Sequence, residues 1–367
     1  MALPPSLTPG DRLNIIIGVT GRATTGSRKN AGSASISDVA GSAGVSLMTV
    51  SRVINGHPRV SEETRRRVLA AIRKLNYRPI RAARDLSRGR SRSVTVMTSN
   101  TTLYGRAALL QGIEEAARYA GLHTDIGILE SPRPSAVEAA IERSCDPASG
   151  GVIVIAFDLA GVRALRAIPA GIPVAAAVEI NNVKDSRAYP TAALDDRAAA
   201  FAATQHLLDL GHRTVHHVSI PSSTNASARL QGWRAALREA RARIPEVIAG
   251  GWTPQSGYEA GQRLAADRQV TAVLCGNDDL ALGVIHALRQ AGRAVPDSVS
   301  VVGFDDVPSA AFYAPPLTTV RLDFVGLGHD CFALLQHAAD PDSIMPEFNA
   351  AAPKLVVRET TRPPRRP

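Results

Sequence analysis

Thr49, Ser51, Arg52 and Asn55 lie within seven residues, and all four side chains can hydrogen-bond to nucleic-acid bases or phosphates. A guanidinium pairs bidentately with a guanine edge, while hydroxyl and amide groups hold phosphate oxygens. The first kind of contact reads sequence and the second sets register. The charge around them fits that chemistry. Residues 36–93 hold thirteen Lys/Arg against four acids, a net +9, whereas residues 1–35 add +3 and residues 94–367 come to −3. A chain whose positive charge is concentrated in about a sixth of its length has one polyanion-binding module and one ordinary globular body. The body offers a second set of groups. Asn277 and Asp278 follow the apolar run VTAVLCG, and Asp305 and Asp306 follow VSVVGF.

The elements that must position the first set are short helices. In DVAGSA, Val39, Ala40 and Ala43 share one face, and Gly44 permits the turn that ends the helix. Ser46 is a suitable N-cap for a second helix, Leu47 to Ile54, with an apolar inner side (Val50, Val53, Ile54) and a polar outer side (Thr49, Ser51, Arg52, Asn55). Two short helices around a glycine turn predict a helix-turn-helix. Ser61 caps a third helix with Glu62 and Glu63 in its electropositive first turn, and Val68, Ala71, Ile72 and Leu75 close a small core.

The second set needs a sheet. Short apolar runs (93–97, 151–157, 172–178, 214–220, 272–275, 299–304) alternate with helical patterns (107–120, 159–168, 228–240, 279–291). Such alternation predicts parallel sheets covered by helices on both faces. Open sheets of this kind bind ligands at the carboxyl ends of their strands, where Asn277, Asp278, Asp305 and Asp306 fall.

The stretch SDVAGSAGVSLMTVSRVINGHPRVSEETRRRVLAAIRKLNYRP follows, without a gap, the DNA-binding signature of the LacI/GalR family of bacterial transcriptional regulators, which this chain resembles. The resemblance implies that the second helix lies in the major groove, with Leu47, Met48 and Arg52 facing bases and Thr49, Ser51, Asn55 and Ser61 facing phosphates. Leu47 and Met48 cannot pair with base edges, so they would read thymine methyls and groove shape. Residues 82–87 resemble the family's hinge helix. Ala83 and Leu86 would enter the minor groove, with Leu86 wedging between base steps. Ile80 stands where the family usually has Asn. A six-residue helix is too short to be stable alone, so it should form on DNA and dissolve when the switch is thrown.

The resemblance extends over about nine tenths of the chain, through HLLDLGHR, GWTPQSGYEAG, TAVLCGNDDLALG, VPDSVSVVGFDD, PPLTTVR and KLVVRETT. It implies a small all-α helix-turn-helix domain followed by an α/β periplasmic-binding-protein-like domain of two Rossmann-like parallel-sheet subdomains. The expected boundaries are a disordered extension (1–34), the helix-turn-helix (35–78), hinge and linker (79–92), an effector-binding and dimerisation domain (93–361), and a disordered tail (362–367). The subdomains would be 93–192 plus 322–350 and 193–320 plus 352–361. By motif, the effector contacts would be Tyr104, Arg229, Trp252, Asn277 and Asp305, types that suit a mono- or disaccharide: polar groups for hydroxyls, an aromatic ring for the C–H face. Many sugar-binding members carry an acid at a strand end held here by Val178, with Glu179 next to it.

Other chemistries find no pattern. Cys145, Cys275 and Cys331 are far apart without metal spacing, and the His216–His217 pair lacks nearby partners, so neither a metal site nor a disulfide framework is expected. No nucleophile elbow, phosphate loop or eighteen-residue apolar run occurs, so neither an enzyme nor a membrane span is expected. The reading is a cytoplasmic, homodimeric, cofactor-free repressor that binds operator DNA and is released by a small sugar. A purine-like corepressor that tightens DNA binding is the first alternative, and a sugar-binding protein without DNA function the second.

Overall fold

A computed structural model describes residues 34–54, 57, 59–77, 93–147, 149–179, 189–222, 227–348 and 350–365. Residues 1–33, Asn55 and the expected hinge, with Ala83 and Leu86, lie outside the described residues. The chain divides into two compact units at Arg81/Ala82.

The first unit is three helices: α1 (Ile36–Ala43), α2 (Leu47–Ile54) and α3 (Glu62–Lys74). Ser35 and Asp38 form a reciprocal capping box at the start of α1. Gly44, at φ 63° and ψ 42°, ends α1 in the left-handed region. The Ser46 hydroxyl then accepts the Thr49 amide at 3.2 Å, and Ser61 does the same for Thr64 at 3.3 Å, so each cap expected from sequence is made. Val39, Ala43, Val50, Val53, Val68 and Ala71 form the core. Arg67 of α3 donates to the carbonyls of Ala43 and Gly44, tying the turn to the third helix.

The second unit holds two sheets. In the first, β1 (Ser93–Thr98), β2 (His123–Ile128), β3 (Val152–Ala156), β4 (Val174–Val178) and β5 (Thr191–Ala192) are all parallel, in the order β2-β1-β3-β4-β5. The helices between them are α4 (Tyr104–Tyr119), α5 (Pro134–Ser144) and α6 (Leu159–Ala167). The chain then passes to the other sheet through α7 (Asp196–Asp209), β6 (His216–Ser219), α8 (Ala228–Glu239), β7 (Ile248–Ala249), α9 (Pro254–Ala266), β8 (Ala272–Cys275), α10 (Asp278–Gln290), β9 (Ser300–Asp305) and β10 (Thr318–Arg321). It returns to pack α11 (Phe324–Ala339) on α4, and ends with β11 (Lys354–Val356). The second sheet runs β11-β10-β9-β8-β6-β7, parallel except for β11. Three passages between the lobes follow, near residues 193–195, 322–323 and 340–353.

Two expectations need correction. The helix read from residue 107 begins at Tyr104, which brings the tyrosine onto the first helical turn. The tail expected to be disordered from residue 362 is docked through residue 365. Ser300 exchanges hydrogen bonds with the Arg362 backbone at 3.0 and 3.1 Å, and Arg362 and Arg365 both pair with Asp297. Prolines and arginines gave no periodicity there, but the carbonyl of Arg362 completes the shell of buried His212, 3.0 Å from its Nε2.

Candidate functional site

On α2, Leu47 is 51% and Met48 64% exposed, large apolar side chains held out of the core at the helix start. Arg52 is exposed one turn on, while Thr49 and Ser51 are half-buried. The Thr49 hydroxyl lies 2.9 Å from that of Ser46, and the Ser61 hydroxyl donates to Thr64 Oγ1 at 2.9 Å, so both are already engaged in capping. The unit therefore presents a two-residue apolar step beside a guanidinium on one helix.

The second site lies where the strands end. Leu103 and Tyr104 after β1, Phe157 after β3, Glu179 after β4 and Leu194 after β5 face Ile220 after β6, Trp252 after β7, Asn277 after β8 and Asp305 at the end of β9 across one cavity. The space between these walls is about 800 Å³ when the part open to solvent is counted. All five residues expected to hold an effector (Tyr104, Arg229, Trp252, Asn277 and Asp305) border it.

Arg229, on the first turn of α8, is the hub and only 8% exposed. Its Nε donates to Asp196 at 2.9 Å, one Nη to Asp305 at 3.2 Å and the other to the Gly276 carbonyl, while the guanidinium sits 4.1 Å above the Phe304 ring centroid. Burial works against its charge, yet the carboxylates of Asp196 and Asp305 outweigh that effect and push its pKa up. Asp305 has φ 107°, a conformation rare for a residue with a side chain, and Asp306 follows at φ 55°. Arg321 and Arg358, each 2.7 Å from Asp306, fix this turn from the far side.

Asn277 has a double role. Its Oδ1 accepts the Leu280 amide at 2.8 Å, capping α10, and its Nδ2 donates to the Trp252 carbonyl at 3.2 Å. One amide hydrogen remains for a ligand. Trp252 is half-buried and borders the cavity; the core tryptophan is Trp233, fully buried and stacked on His217. Tyr104 meets Phe324 edge-on at 6.2 Å. Burial first, then the charges of Asp305, Asp306 and Asp278, push its phenol up.

The cavity also uses groups outside the five expected effector contacts. Val178 is the buried end of β4, so the acid reaching the cavity is its neighbour Glu179, whose pKa is pushed up to about 7 by burial and by the charge of Asp196. Asp278 is fully buried and accepts the Val307 amide at 2.8 Å and the Thr319 hydroxyl; burial and Asp305 push it up to about 8. Arg106, two residues after Tyr104, is 4% exposed and reaches Asp158 at 2.8 Å. Sequence pattern marks Asp278, which follows VTAVLCG, and places Glu179 beside Val178, whereas Arg106 is not marked. Among the described residues no group of His, Cys, Asp or Glu could hold a metal ion, and no helix is long and apolar enough to cross a membrane.

Residues 35–79 match the profile of the bacterial regulatory proteins of the lacI family, and residues 204–361 match a periplasmic binding protein-like domain. The HTH-type transcriptional repressor PurR of Haemophilus influenzae is 30% identical over 341 residues, spanning 90% of this chain and 99% of that one. The lactose operon repressor of Escherichia coli K12 is 31% identical over 331 residues, spanning 89% and 90%. Among solved structures, the lac repressor dimer bound to operator and the anti-inducer ONPF aligns with a TM-score of 0.77 at 28% identity, over 90% of this chain and 100% of that one.

Proposed function

The chain belongs to the LacI family of bacterial regulatory proteins, DNA-binding transcriptional regulators, and from that premise we propose that it is a dimeric repressor released from its operator by a small sugar. One observation carries the sugar reading. Groups suited to hydroxyls and a ring suited to a C–H face meet in a single cavity bordered by strand ends of both sheets. Closing the two lobes on a ligand there changes their relative position, which is the kind of motion a two-lobed switch needs. The dimer and operator are carried over from the lac repressor complex.

In this reading Leu47, Met48 and Arg52 contact bases, Thr49, Ser51, Asn55 and Ser61 contact phosphates, and Ala83 and Leu86 enter the minor groove. Tyr104, Arg229, Trp252, Asn277 and Asp305 hold the effector. The role is binding in the cytoplasm rather than catalysis. The guanidinium at the centre is fixed by three acceptors, so it is a docking point rather than a group that moves protons.

The test is a selection of operator sequences by the full chain, followed by titration of sugars and purines against the preformed complex, read by fluorescence anisotropy. Release by a sugar supports the proposal. Tightening by a purine-like ligand reverses the sign of regulation and replaces it.

A further inference from the structure

The walls of the cavity carry more acidic than basic side chains. Glu179, Asp196, Asp278, Asp279 and Asp305 border it against Arg106 and Arg229. Neither guanidinium is available to balance them all. Arg106 donates to Asp158 at 2.8 Å and to Ser99 at 2.6 Å, neither of which borders the cavity. Arg229 is held by Asp196, Asp305 and the Gly276 carbonyl. Among the described residues, Glu179, Asp278 and Asp279 have no ion-pair partner. Asp278 is sealed behind the Val307 amide and the Thr319 hydroxyl, whereas Glu179 and Asp279 are half-buried at the cavity itself.

The apolar part of the wall favours the same sign of charge. Tyr104, Phe157, Trp252 and Phe324 all border the cavity, and the faces of aromatic rings attract cations. A buried carboxylate without a counter-ion is costly, and a ligand that brings the counter-ion recovers that cost on binding. A phosphate or carboxylate on the ligand would instead meet surplus acids, with the charge of both guanidiniums already paired to carboxylates. A neutral hexose makes hydrogen bonds but leaves the charge where it was.

We propose that the effector is a cation, a hydroxylated ring bearing one protonated nitrogen, of which an amino sugar is the simplest form. This rests on the reading that the cavity is the effector site. Hydroxyls then go to Arg229, Asn277 and Asp305, the ring lies on Trp252, and the ammonium goes to Glu179 and Asp279. The assignment also excludes phosphorylated sugars.

The experiment is calorimetric titration of the full chain at neutral pH with glucosamine, galactosamine, glucose, galactose and the two hexose 6-phosphates. At least one amino sugar should bind roughly tenfold to a hundredfold more tightly than its parent, the worth of a charged hydrogen bond, and the phosphates should not bind. Glu179→Gln, which keeps shape and loses charge, should bring amino sugar and parent to within a few-fold of each other, with an unchanged thermal melt showing that the variant is folded. The proposal is overturned if no amino sugar binds, or if a parent hexose or its phosphate binds as tightly. The outcomes separate the two claims. If a parent hexose binds as tightly as its amino sugar and Asn277→Ala abolishes both, the site stands and the charge class fails. If an amino sugar binds with the same affinity to Asn277→Ala and Glu179→Gln, the site itself is misplaced.

Discussion

Replacing Asp305 by asparagine tests the cavity most directly, because the structure sets what is lost and what is kept. Asparagine tolerates the φ of 107° better than alanine, and its amide oxygen still accepts from Arg229, now 3.2 Å from Asp305. Asp196 keeps the countercharge at 2.9 Å, so the fold should lose only about 1–2 kcal/mol, the difference between a charged and a neutral hydrogen bond. An effector that uses the ionised carboxylate loses about 1.5–3 kcal/mol, a weakening of roughly tenfold to a hundredfold. DNA affinity without effector should stay as in the wild type, so the expected phenotype is a repressor that stays on its operator and responds poorly to inducer. Anisotropy of labelled operator during inducer titration reads this out. Release at the wild-type inducer concentration would refute the reasoning and make Asp305 a turn residue only. The same variant carries a pH signature. Burial pushes the Asp305 pKa up to about 7, against the pull of Arg229 and helped by Asp196. Between an ordinary carboxylate value near 4 and that value, the folded state binds more protons than the unfolded one. Stability from this group therefore falls as pH rises through about 4 to 7. Asparagine has no such slope, so the deficit of the variant should shrink between about pH 5 and pH 8, measured as the difference in denaturant midpoints.

Arg52→Ala should weaken specific operator binding by about 1–3 kcal/mol per subunit and leave the effector affinity alone; wild-type operator affinity at matched salt would show that α2 is not the reading helix. A dimer bearing two such helices should protect one pseudo-palindromic site with a flexible pyrimidine–purine step at its centre, and Leu86→Ala should remove the central kink; a direct repeat in the footprint would contradict this. Removing residues 362–367 takes the Arg362 carbonyl from His212 and the Arg362 backbone from Ser300, and should lower the Tm by about 2–6 °C in a calorimetric scan, with no change at all counting against a docked tail.

The first unit was almost fully legible in the sequence because each of its instructions is local. Ser35, Ser46 and Ser61 act on amides three residues away, and Gly44 acts on its own backbone. The sheets were legible as apolar runs where both faces are buried, as in VIVIA of β3. Strand β2 escaped because it is an edge strand whose residues are mostly exposed, so HTDIGI carries neither an apolar run nor a clean alternation. The cavity was legible only in part, for a different reason. Asp305 and Asn277 announce themselves by following apolar strands. Glu179 follows the apolar run 172–178 and is marked only as the neighbour of Val178. Asp196 and Arg106 matter through Arg229 and Asp158, 33 and 52 residues away in the chain, and no local pattern marks them. The tail was misread because its order comes from Asp297, Ser300 and His212, none of which is near it in sequence.

The turn at Asp305 and Asp306 joins the cavity to the passage between the lobes. Both residues have positive φ without being glycine, and each such residue costs of order 1–3 kcal/mol unless its surroundings enforce it. What enforces it is visible. Asp305 is held by Arg229 from the cavity side, and Asp306 by Arg321 and Arg358 from the other. Arg321 is the last residue of β10, immediately before the chain leaves for the first lobe. A ligand that competes with Arg229 for Asp305 therefore acts on one half of a constrained dipeptide whose other half grips the connecting strand. These contacts give binding energy applied at the cavity a physical route to that strand. Because coupling is reciprocal, an effector that changes operator affinity by some factor has its own affinity changed by operator by the same factor.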